Sequence, residues 1–160
     1  MRHELELKST IYLYDHFEQL SNDDQELIKQ AKKAVNNSYS PYSHFKVGAS
    51  ILLDNRSILI GSNQENASYP LCVCAETSVL SMAGSNHPDL KILAMAISTN
   101  GPKITDHPAA PCGACRQIIL EYEKRQECPI RILLHADGQQ IIEIPSIKTI
   151  LPLHFDNRYL

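Results

Sequence analysis

The stretch VGASILLDNRSILIGSN, residues 47–63, determines the centre of the predicted fold. Apolar residues alternate along residues 47–53 as on a strand, Asp54 and Asn55 make a turn, and residues 57–63 return as a second strand. The stretch therefore predicts a β-hairpin around which the other elements are arranged.

Helical and strand patterns continue on both sides of this hairpin. Before it, Ser21 and Asp24 form a capping box for a helix that ends at Asn36. After it, the pattern predicts a helix from about Cys74 to Ala83 capped by Gly84, a strand over 91–98, a Pro-rich loop over 101–111, a helix from near Gly113, a strand over 130–136, a turn at Asp137-Gly138, a strand over 140–144, and a short last helix capped by Ser146.

This order of elements predicts an α/β fold, a three-layer α/β/α sandwich with a mixed five-stranded sheet and helices on its faces. We expect residues 1–160 to form a single domain. Residues 1–20 form an N-terminal extension to which the sequence assigns no role.

Composition and charge narrow the classes of function. The chain has 160 residues, 43% of them hydrophobic and 21% charged, and a formal net charge of -3. It has no cluster of Lys and Arg, so a nucleic-acid partner is not expected. It also has no apolar run long enough for a membrane span and no signal peptide. We expect a cytoplasmic protein that binds a small molecule.

Three cysteines have the spacing of metal ligands. Cys112-x-x-Cys115 lets two thiolates bind one metal across the first turn of a helix, and Cys74 stands at the start of another predicted helix. Three protein ligands leave a tetrahedral zinc ion one position for water, as in catalytic sites, and thiolates select zinc over Mg²⁺. The sequence therefore predicts one Zn²⁺ per subunit.

Glu76 follows two residues after Cys74, in the first helical turn, where a carboxylate can reach a water on the metal without ligating it. It can take a proton from that water and deliver it to a substrate. Two other interpretations stay open. Cys72 can close the site as a fourth thiolate of a structural zinc, or Cys112 and Cys115 can form a redox pair.

Five blocks spread from about Tyr39 to Phe155 resemble the cytidine deaminases, specifically their small, homotetrameric three-cysteine branch. The blocks are SPYSHFKVGA (40–49), GSNQENASYP (61–70), CAE (74–76), PCGACRQ (111–117) and ILPLHF (150–155). The resemblance implies an enzyme of pyrimidine salvage, a zinc hydrolase acting on a cyclic amidine C–N bond. Its reaction converts cytidine and deoxycytidine to uridine and deoxyuridine with release of ammonia.

The resemblance also assigns roles to single residues. It implies that Cys74, Cys112 and Cys115 bind zinc, that Glu76 is the catalytic proton shuttle, that Asn63 and Glu65 hydrogen-bond the sugar hydroxyls, that Phe45 lines the pocket, that the Ala75 backbone lies near the pyrimidine, and that Phe155 covers the base from a neighbouring subunit of a homotetramer. The chain departs from the family pattern at Thr77, where the family usually has an Arg that hydrogen-bonds the zinc thiolates.

Other functions remain as alternatives at this stage. One is deamination of another cytosine nucleoside, such as a nucleoside antibiotic, which the missing Arg at Thr77 keeps open. Another is a non-catalytic binding module stabilised by a four-cysteine zinc, which would need Cys72 as a ligand. Editing of RNA or DNA would require a basic surface that this composition does not show.

Overall fold

The computed structural model describes residues 1–101 and 105–160, so the Pro-rich loop expected over 101–111 lies partly outside the described residues. The α-helices are α1 (Asn22–Val35), α2 (Ala75–Asn86) and α3 (Gly113–Gln126). The strands are β1 (Tyr12–Tyr14), β2 (Lys46–Leu53), β3 (Ile58–Ser62), β4 (Ile92–Asn100), β5 (Arg131–Ala136) and β6 (Ile141–Ile144). In the described part of the chain, no helix has the length and apolar character needed to cross a bilayer.

The strands form one mixed sheet in the order β1-β6-β5-β4-β2-β3. Strands β4 and β5 are parallel and every other neighbouring pair is antiparallel. The predicted hairpin is confirmed, because β2 and β3 pair directly with Ser50 opposite Ile60. Helix α3 connects the parallel strands β4 and β5, as a parallel pair requires.

Within residues 1–101 and 105–160 the sheet has six strands, so the expectation of five was wrong. The additional strand is β1, which lies in the segment to which the sequence assigned no role and which pairs with β6 at the sheet edge. The Tyr14 hydroxyl donates to the Glu143 carboxylate at 2.7 Å, which fixes this pairing from the side chains. Three residues are too few to produce a periodic hydrophobic signal, so this strand depends on contacts distant in sequence.

Both faces of the sheet are covered, which confirms the three-layer sandwich. On one face Ile51, Ile97 and Leu134 pack in a cluster with residues of α2 and α3. On the other face Leu52 and Leu133 pack in a cluster with residues of α1. Alternate residues of a strand point to opposite faces, so a central strand of this sheet is apolar on both sides.

A close approach at Gly61 places α2 on the sheet. A Cβ atom at Gly61 would lie 2.8 Å from the Val79 backbone nitrogen and 3.0 Å from the Ala75 carbonyl oxygen. Only glycine permits this contact, and it brings the first turn of α2 directly over β3. That first turn carries Ala75 and Glu76, so the contact also positions the site.

Two predicted helix ends differ in the structure. Helix α2 does not stop at Gly84 but continues to Asn86, because Gly84 makes room for the Tyr122 hydroxyl rather than capping the helix. The last helix is a single 3₁₀ turn, Ile147–Thr149, whose cap is the Ser146 side chain as expected. The Ser21 cap of the first helix is confirmed, since its hydroxyl accepts from the Asp24 backbone N–H at 3.2 Å. The full capping box was not correct, because the Asp24 carboxylate accepts from the Ser21 hydroxyl and not from the Ser21 backbone N–H.

Candidate active site

The starts of α2 and α3 bring three cysteines together. Cys74 is the N-cap residue of α2, and Cys112 is the N-cap residue of α3 with Cys115 in its first turn. Their three sulfur atoms all lie within 4.8 Å of one another. Strands β3 and β4 and the two helices packed over them create this convergence, which the sequence predicted from spacing.

These sulfurs fit a zinc ion. Sulfurs bound to one tetrahedral zinc at about 2.3 Å would be about 3.8 Å apart, which is compatible with separations within 4.8 Å. Two helix N-termini point their positive ends at the sulfurs, which favours the thiolate forms. The donor set is soft, and the described residues of the cluster include no carboxylate ligand, which favours zinc over hard cations.

A hydrogen bond between Cys74 and Cys115 shifts the pKa of each thiol. A hydrogen bond from Cys115 lowers the pKa of Cys74 to about 7. The same bond, together with burial, raises the pKa of Cys115. Because a metal ligand must be a thiolate, binding of zinc releases protons from this pair.

Cys72 lies outside the sulfur cluster. Its sulfur accepts the Asn66 backbone N–H at 3.3 Å and contacts the Asn66 carbonyl at 3.6 Å, within the loop that precedes α2. In the described residues the group able to hold a metal consists of Cys74, Cys112 and Cys115. The arrangement therefore offers three ligands with an open position, which suits catalysis better than a closed four-cysteine site.

Glu76 is buried beside the sulfurs, with 5% of its surface exposed. Burial raises the pKa of its carboxyl group, and this outweighs the hydrogen bonds from its own backbone N–H and from Cys115, which lower it. A carboxyl group with a raised pKa holds and releases a proton closer to neutral pH than an exposed one does. Glu76 therefore has the properties of a general acid–base group.

A cavity of about 270 Å³ opens over this chemistry. It brings together Cys74, Ala75, Glu76 and Cys112 with the predicted substrate residues Phe45, Asn63 and Glu65. Two larger surface clefts of the described chain lie elsewhere, and a third shares Phe45 with the cavity, but none of the three is lined by a cysteine of the cluster. The cavity is therefore the place where the predicted site residues meet, except for Phe155 and for Cys115, which is buried beneath it.

Asn63 is held firmly by the protein. Its side-chain oxygen accepts from the Ser38 hydroxyl at 2.6 Å and from the Val47 N–H at 2.8 Å, and its amide nitrogen donates to the Phe45 carbonyl at 2.9 Å. An amide oxygen has two lone pairs and an amide nitrogen two hydrogens, so one N–H of Asn63 is left for a ligand. The sequence found Asn63 but not its partner Ser38, which reads only as a residue that ends α1.

Glu65 is ionised and oriented by the loop before β2. Its carboxylate accepts from the Tyr42 N–H at 2.9 Å and the Ser43 N–H at 3.3 Å, and also from the Ser43 hydroxyl. The Ser43 hydroxyl bond is the main reason that the pKa of Glu65 lies below its usual value. Ser43 is therefore a site residue that sequence analysis missed, although it stands inside the SPYSHF block.

The two predicted aromatic residues have different positions. Phe45 lines the cavity and is 37% exposed. Phe155 does not line it; its ring is 58% exposed and stacks on Tyr159 at a centroid distance of 5.7 Å. The Phe155 carbonyl accepts from the Gln117 side chain at 3.0 Å, which attaches this segment to α3.

Thr77 approaches the sulfur cluster, whereas Arg116, which directly follows Cys115 in the sequence, donates its hydrogen bonds elsewhere. The Thr77 hydroxyl oxygen lies 3.9 Å from the Cys115 sulfur. The Arg116 guanidinium donates to the Pro111 carbonyl and to the Ile150 carbonyl, each at 2.9 Å. Arg116 thus braces the loop before α3 rather than contacting the thiolates.

The chain is similar to known deaminases in sequence. A family model described as the cytidine and deoxycytidylate deaminase zinc-binding region matches residues 21–128. A cytidine deaminase of Halalkalibacterium halodurans is 43% identical over 132 residues, which cover 81% of this chain and 92% of that protein. A cytidine deaminase of Sporosarcina psychrophila is 41% identical over 101 residues, covering 62% of this chain and 70% of that protein.

The fold is similar to solved structures of the same kind. The crystal structure of cytidine deaminase from Burkholderia pseudomallei matches with a TM-score of 0.71 and 34% identity, covering 85% of this chain and all of that one. The cytidine deaminase structure from Mycobacterium tuberculosis matches with a TM-score of 0.65 and 30% identity, covering 85% of this chain and 99% of that one.

Proposed function

Because the chain belongs to the cytidine and deoxycytidylate deaminase family, we propose that it is a zinc-dependent enzyme that hydrolyses cytidine and deoxycytidine to uridine and deoxyuridine, releasing ammonia. The single observation that carries the proposal is the cavity that joins two of the three clustered cysteines, Glu76 and the candidate substrate residues. Pyrimidine salvage in the cytoplasm is the role that fits such a reaction.

Cys74, Cys112 and Cys115 are the proposed zinc ligands. When bound, zinc supplies a Lewis acid that makes a water molecule nucleophilic near neutral pH. The protein fixes where this happens, because Cys115 is completely buried while Cys74 and Cys112 line the cavity. The substrate therefore approaches the ligands from the side of Cys74 and Cys112.

Glu76 is the proposed proton shuttle. Its carboxylate takes one proton from the attacking water and delivers it to N3 of the cytosine ring. It then takes the second proton from the new hydroxyl group at C4 and delivers it to the amino group, so that the C4–N bond breaks and ammonia leaves. Water supplies the new oxygen at C4, and no other reactant is consumed. Burial supports this role, because the raised pKa of Glu76 brings its two protonation states closer in free energy at neutral pH.

Asn63, Glu65, Phe45 and Ala75 are the proposed substrate contacts. Glu65 is oriented by Tyr42 and Ser43, whose three hydrogen bonds leave one lone pair, on Oε1, to accept from a sugar hydroxyl. Asn63 has one N–H free and otherwise holds Phe45 in place through the Phe45 carbonyl. The three hydrogen bonds of the Asn63 side chain support a role in positioning the pocket as well as in binding the sugar.

Free nucleosides should be preferred over 5′-monophosphates. The cavity is lined by the carboxylates of Glu65 and Glu76, and among its described lining residues there is no Lys or Arg. A phosphate group near Glu65 would meet like charge without a compensating cation.

An absorbance assay tests the proposed function. Purified, zinc-loaded protein is incubated with cytidine, deoxycytidine, their 5′-monophosphates and cytosine, and the loss of cytosine absorbance is followed. We expect rapid turnover of both nucleosides and slow or no turnover of the monophosphates and the free base. Faster turnover of deoxycytidine monophosphate would place the chain with the nucleotide deaminases, and no turnover of any of these compounds would refute the proposal.

A further inference from the structure

The buried sulfur of Cys115 has a hydroxyl neighbour. Cys115 is fully buried, whereas Cys74 and Cys112 are exposed. The Thr77 side chain, from the first turn of α2, places its hydroxyl oxygen 3.9 Å from the Cys115 sulfur, a distance at the long end for hydrogen bonds to sulfur. The two residues thus connect the starts of α2 and α3 at the deepest point of the cluster.

Three thiolates around Zn²⁺ leave a net charge of -1, and the deepest thiolate is the most expensive to keep charged. A cation beside the sulfurs would offset this charge, but the Arg116 guanidinium is occupied by the Pro111 and Ile150 carbonyls. In the described residues, the groups that donate hydrogen bonds to these sulfurs are neutral. One example is the Cys115 backbone N–H, which donates to the Cys112 sulfur at 3.5 Å. The centre therefore relies on neutral donors and helix N-termini.

We propose that Thr77 is a positioning residue of the metal centre, whose hydroxyl donates a hydrogen bond to the Cys115 thiolate and so stabilises bound zinc without adding a positive charge. The inference rests on the ligands named in the proposed function. The direction of the bond follows from the chemistry: a thiolate ligand carries no proton, so only the hydroxyl can donate.

If Thr77 has this role, removal of its hydroxyl group should weaken zinc binding measurably. Partners that hydrogen-bond a metal ligand typically contribute about 10- to 100-fold in affinity or activity. Thr77→Val removes the hydroxyl and keeps the branched shape of the side chain. Thr77→Ser keeps the hydroxyl and removes a methyl group, so it is the matched control, and Thr77→Ala is a second variant without the hydroxyl.

The experiment measures metal binding without turnover. Metal-free wild type, Thr77→Val, Thr77→Ala and Thr77→Ser are titrated with Zn²⁺ against a competing chelator, and with Co²⁺ to record the thiolate-to-cobalt charge-transfer absorption. Thermal unfolding of the metal-free proteins identifies any variant that does not fold.

We expect Thr77→Val and Thr77→Ala to bind zinc about 10- to 100-fold more weakly, and Thr77→Ser to bind as the wild type does. The charge-transfer band should move to longer wavelength in the variants without the hydroxyl, because a thiolate that loses a donor gives up its electron more easily. Wild-type affinity and an unshifted band in both hydroxyl-free variants would overturn the proposal, and so would an equal loss in Thr77→Ser. Since no substrate is present, these outcomes stand apart from any failure of the deamination assay.

Discussion

Glu76 has two properties that no other carboxylate of the described cavity lining combines. It lies two residues after a proposed zinc ligand, and burial raises the pKa of its carboxyl group. Glu65, which shares the cavity, has a lowered pKa because of the Ser43 hydroxyl. Two carboxylates in one cavity with opposite pKa shifts are consistent with the two proposed roles, in which Glu76 moves protons and Glu65 accepts hydrogen bonds.

The substitution Glu76→Gln tests this assignment. It should leave zinc content and the unfolding midpoint near wild-type values and lower kcat by about 10²- to 10⁴-fold, because an amide cannot exchange the proton. Steady-state kinetics on zinc-loaded protein, with metal analysis, measures the effect. Glu121→Gln, at an exposed position of α3, is the matched control and should keep full activity. High activity in zinc-loaded Glu76→Gln would reject the shuttle role.

The sequence could predict which residues lie together at the cavity, but it could not predict the partners that hold them there. Two signals predicted that Cys74, Cys112 and Cys115 meet: Cys112 and Cys115 share one helical turn, and Cys74 starts another helix. The hydrogen bond from Ser38 to Asn63 joins residues 25 positions apart in the sequence, so no local pattern predicts it. Likewise, no sequence pattern indicates that Arg116 would turn towards backbone carbonyls and leave Thr77 at the sulfurs.

Among the elements, the segment after Ile150 is held by one buried carboxylate. Asp156 accepts from the Arg158 guanidinium at 2.9 and 3.0 Å, and the Lys124 ammonium of α3 lies 2.8 Å away. The His154 ring lies 3.5 Å from the same carboxylate. The hydrogen bond from Arg158 first, and then that from Lys124, hold the pKa of Asp156 well below its usual range. Asp156 thereby fixes the segment that carries Phe155 to α3.

This cluster predicts a pH dependence of stability. A carboxyl group whose pKa is lower in the folded state stabilises the fold fully above its unfolded pKa of about 3.9, and that contribution is lost as pH falls towards the folded value. Asp156→Asn should therefore unfold at lower urea concentration than wild type at pH 7. The difference between the two midpoints should narrow progressively as the pH falls below about 4. Asp89→Asn, at an exposed position, should match wild type at every pH. A difference between Asp156→Asn and wild type that does not change with pH would contradict the prediction.

The contact between α2 and β3 gives a second prediction for the elements. Gly61→Ala would drive a methyl group against the Val79 nitrogen and the Ala75 carbonyl, so it should lower the free energy of unfolding by about 1–3 kcal/mol. Turnover should fall as well, because the displaced turn carries Glu76. Gly113→Ala is the control for stability, since a Cβ there meets nothing within 4 Å. Equal stability of the two variants, measured by urea unfolding, would show that α2 does not depend on this contact.

The elements themselves were predictable where the hydrophobic pattern was long and the caps were strong. The hairpin of β2 and β3 and the start of α1 at Ser21 are such cases. The errors fall where tertiary contacts override local signals. Gly84 reads as a helix stop but serves the packing of Tyr122, and the three-residue strand β1 is defined by its partner β6.

For the whole molecule, we propose a homotetramer in which Phe155 of one subunit covers the base bound by another. The Phe155 ring is 58% exposed and does not line its own cavity, which fits a contact with a neighbour. Sedimentation should give four chains per particle. Phe155→Ala should reduce kcat/KM, and co-expression with Glu76→Gln should restore activity, because mixed tetramers pair an intact Glu76 with a neighbour's intact Phe155. A fully active monomer, or mixed particles no more active than the sum of the two variants, would contradict the arrangement.

A zinc titration tests directly whether the chain deaminates cytidine with one zinc ion per chain. Metal-free protein is given increasing amounts of Zn²⁺, and the initial rate of cytidine deamination is measured by absorbance at each ratio of zinc to chain. We expect no turnover without zinc, a linear rise, and a plateau at one zinc per chain, since the described residues of each chain hold one three-cysteine cluster. Full turnover by metal-free protein, or no turnover of cytidine at any ratio, would contradict this expectation.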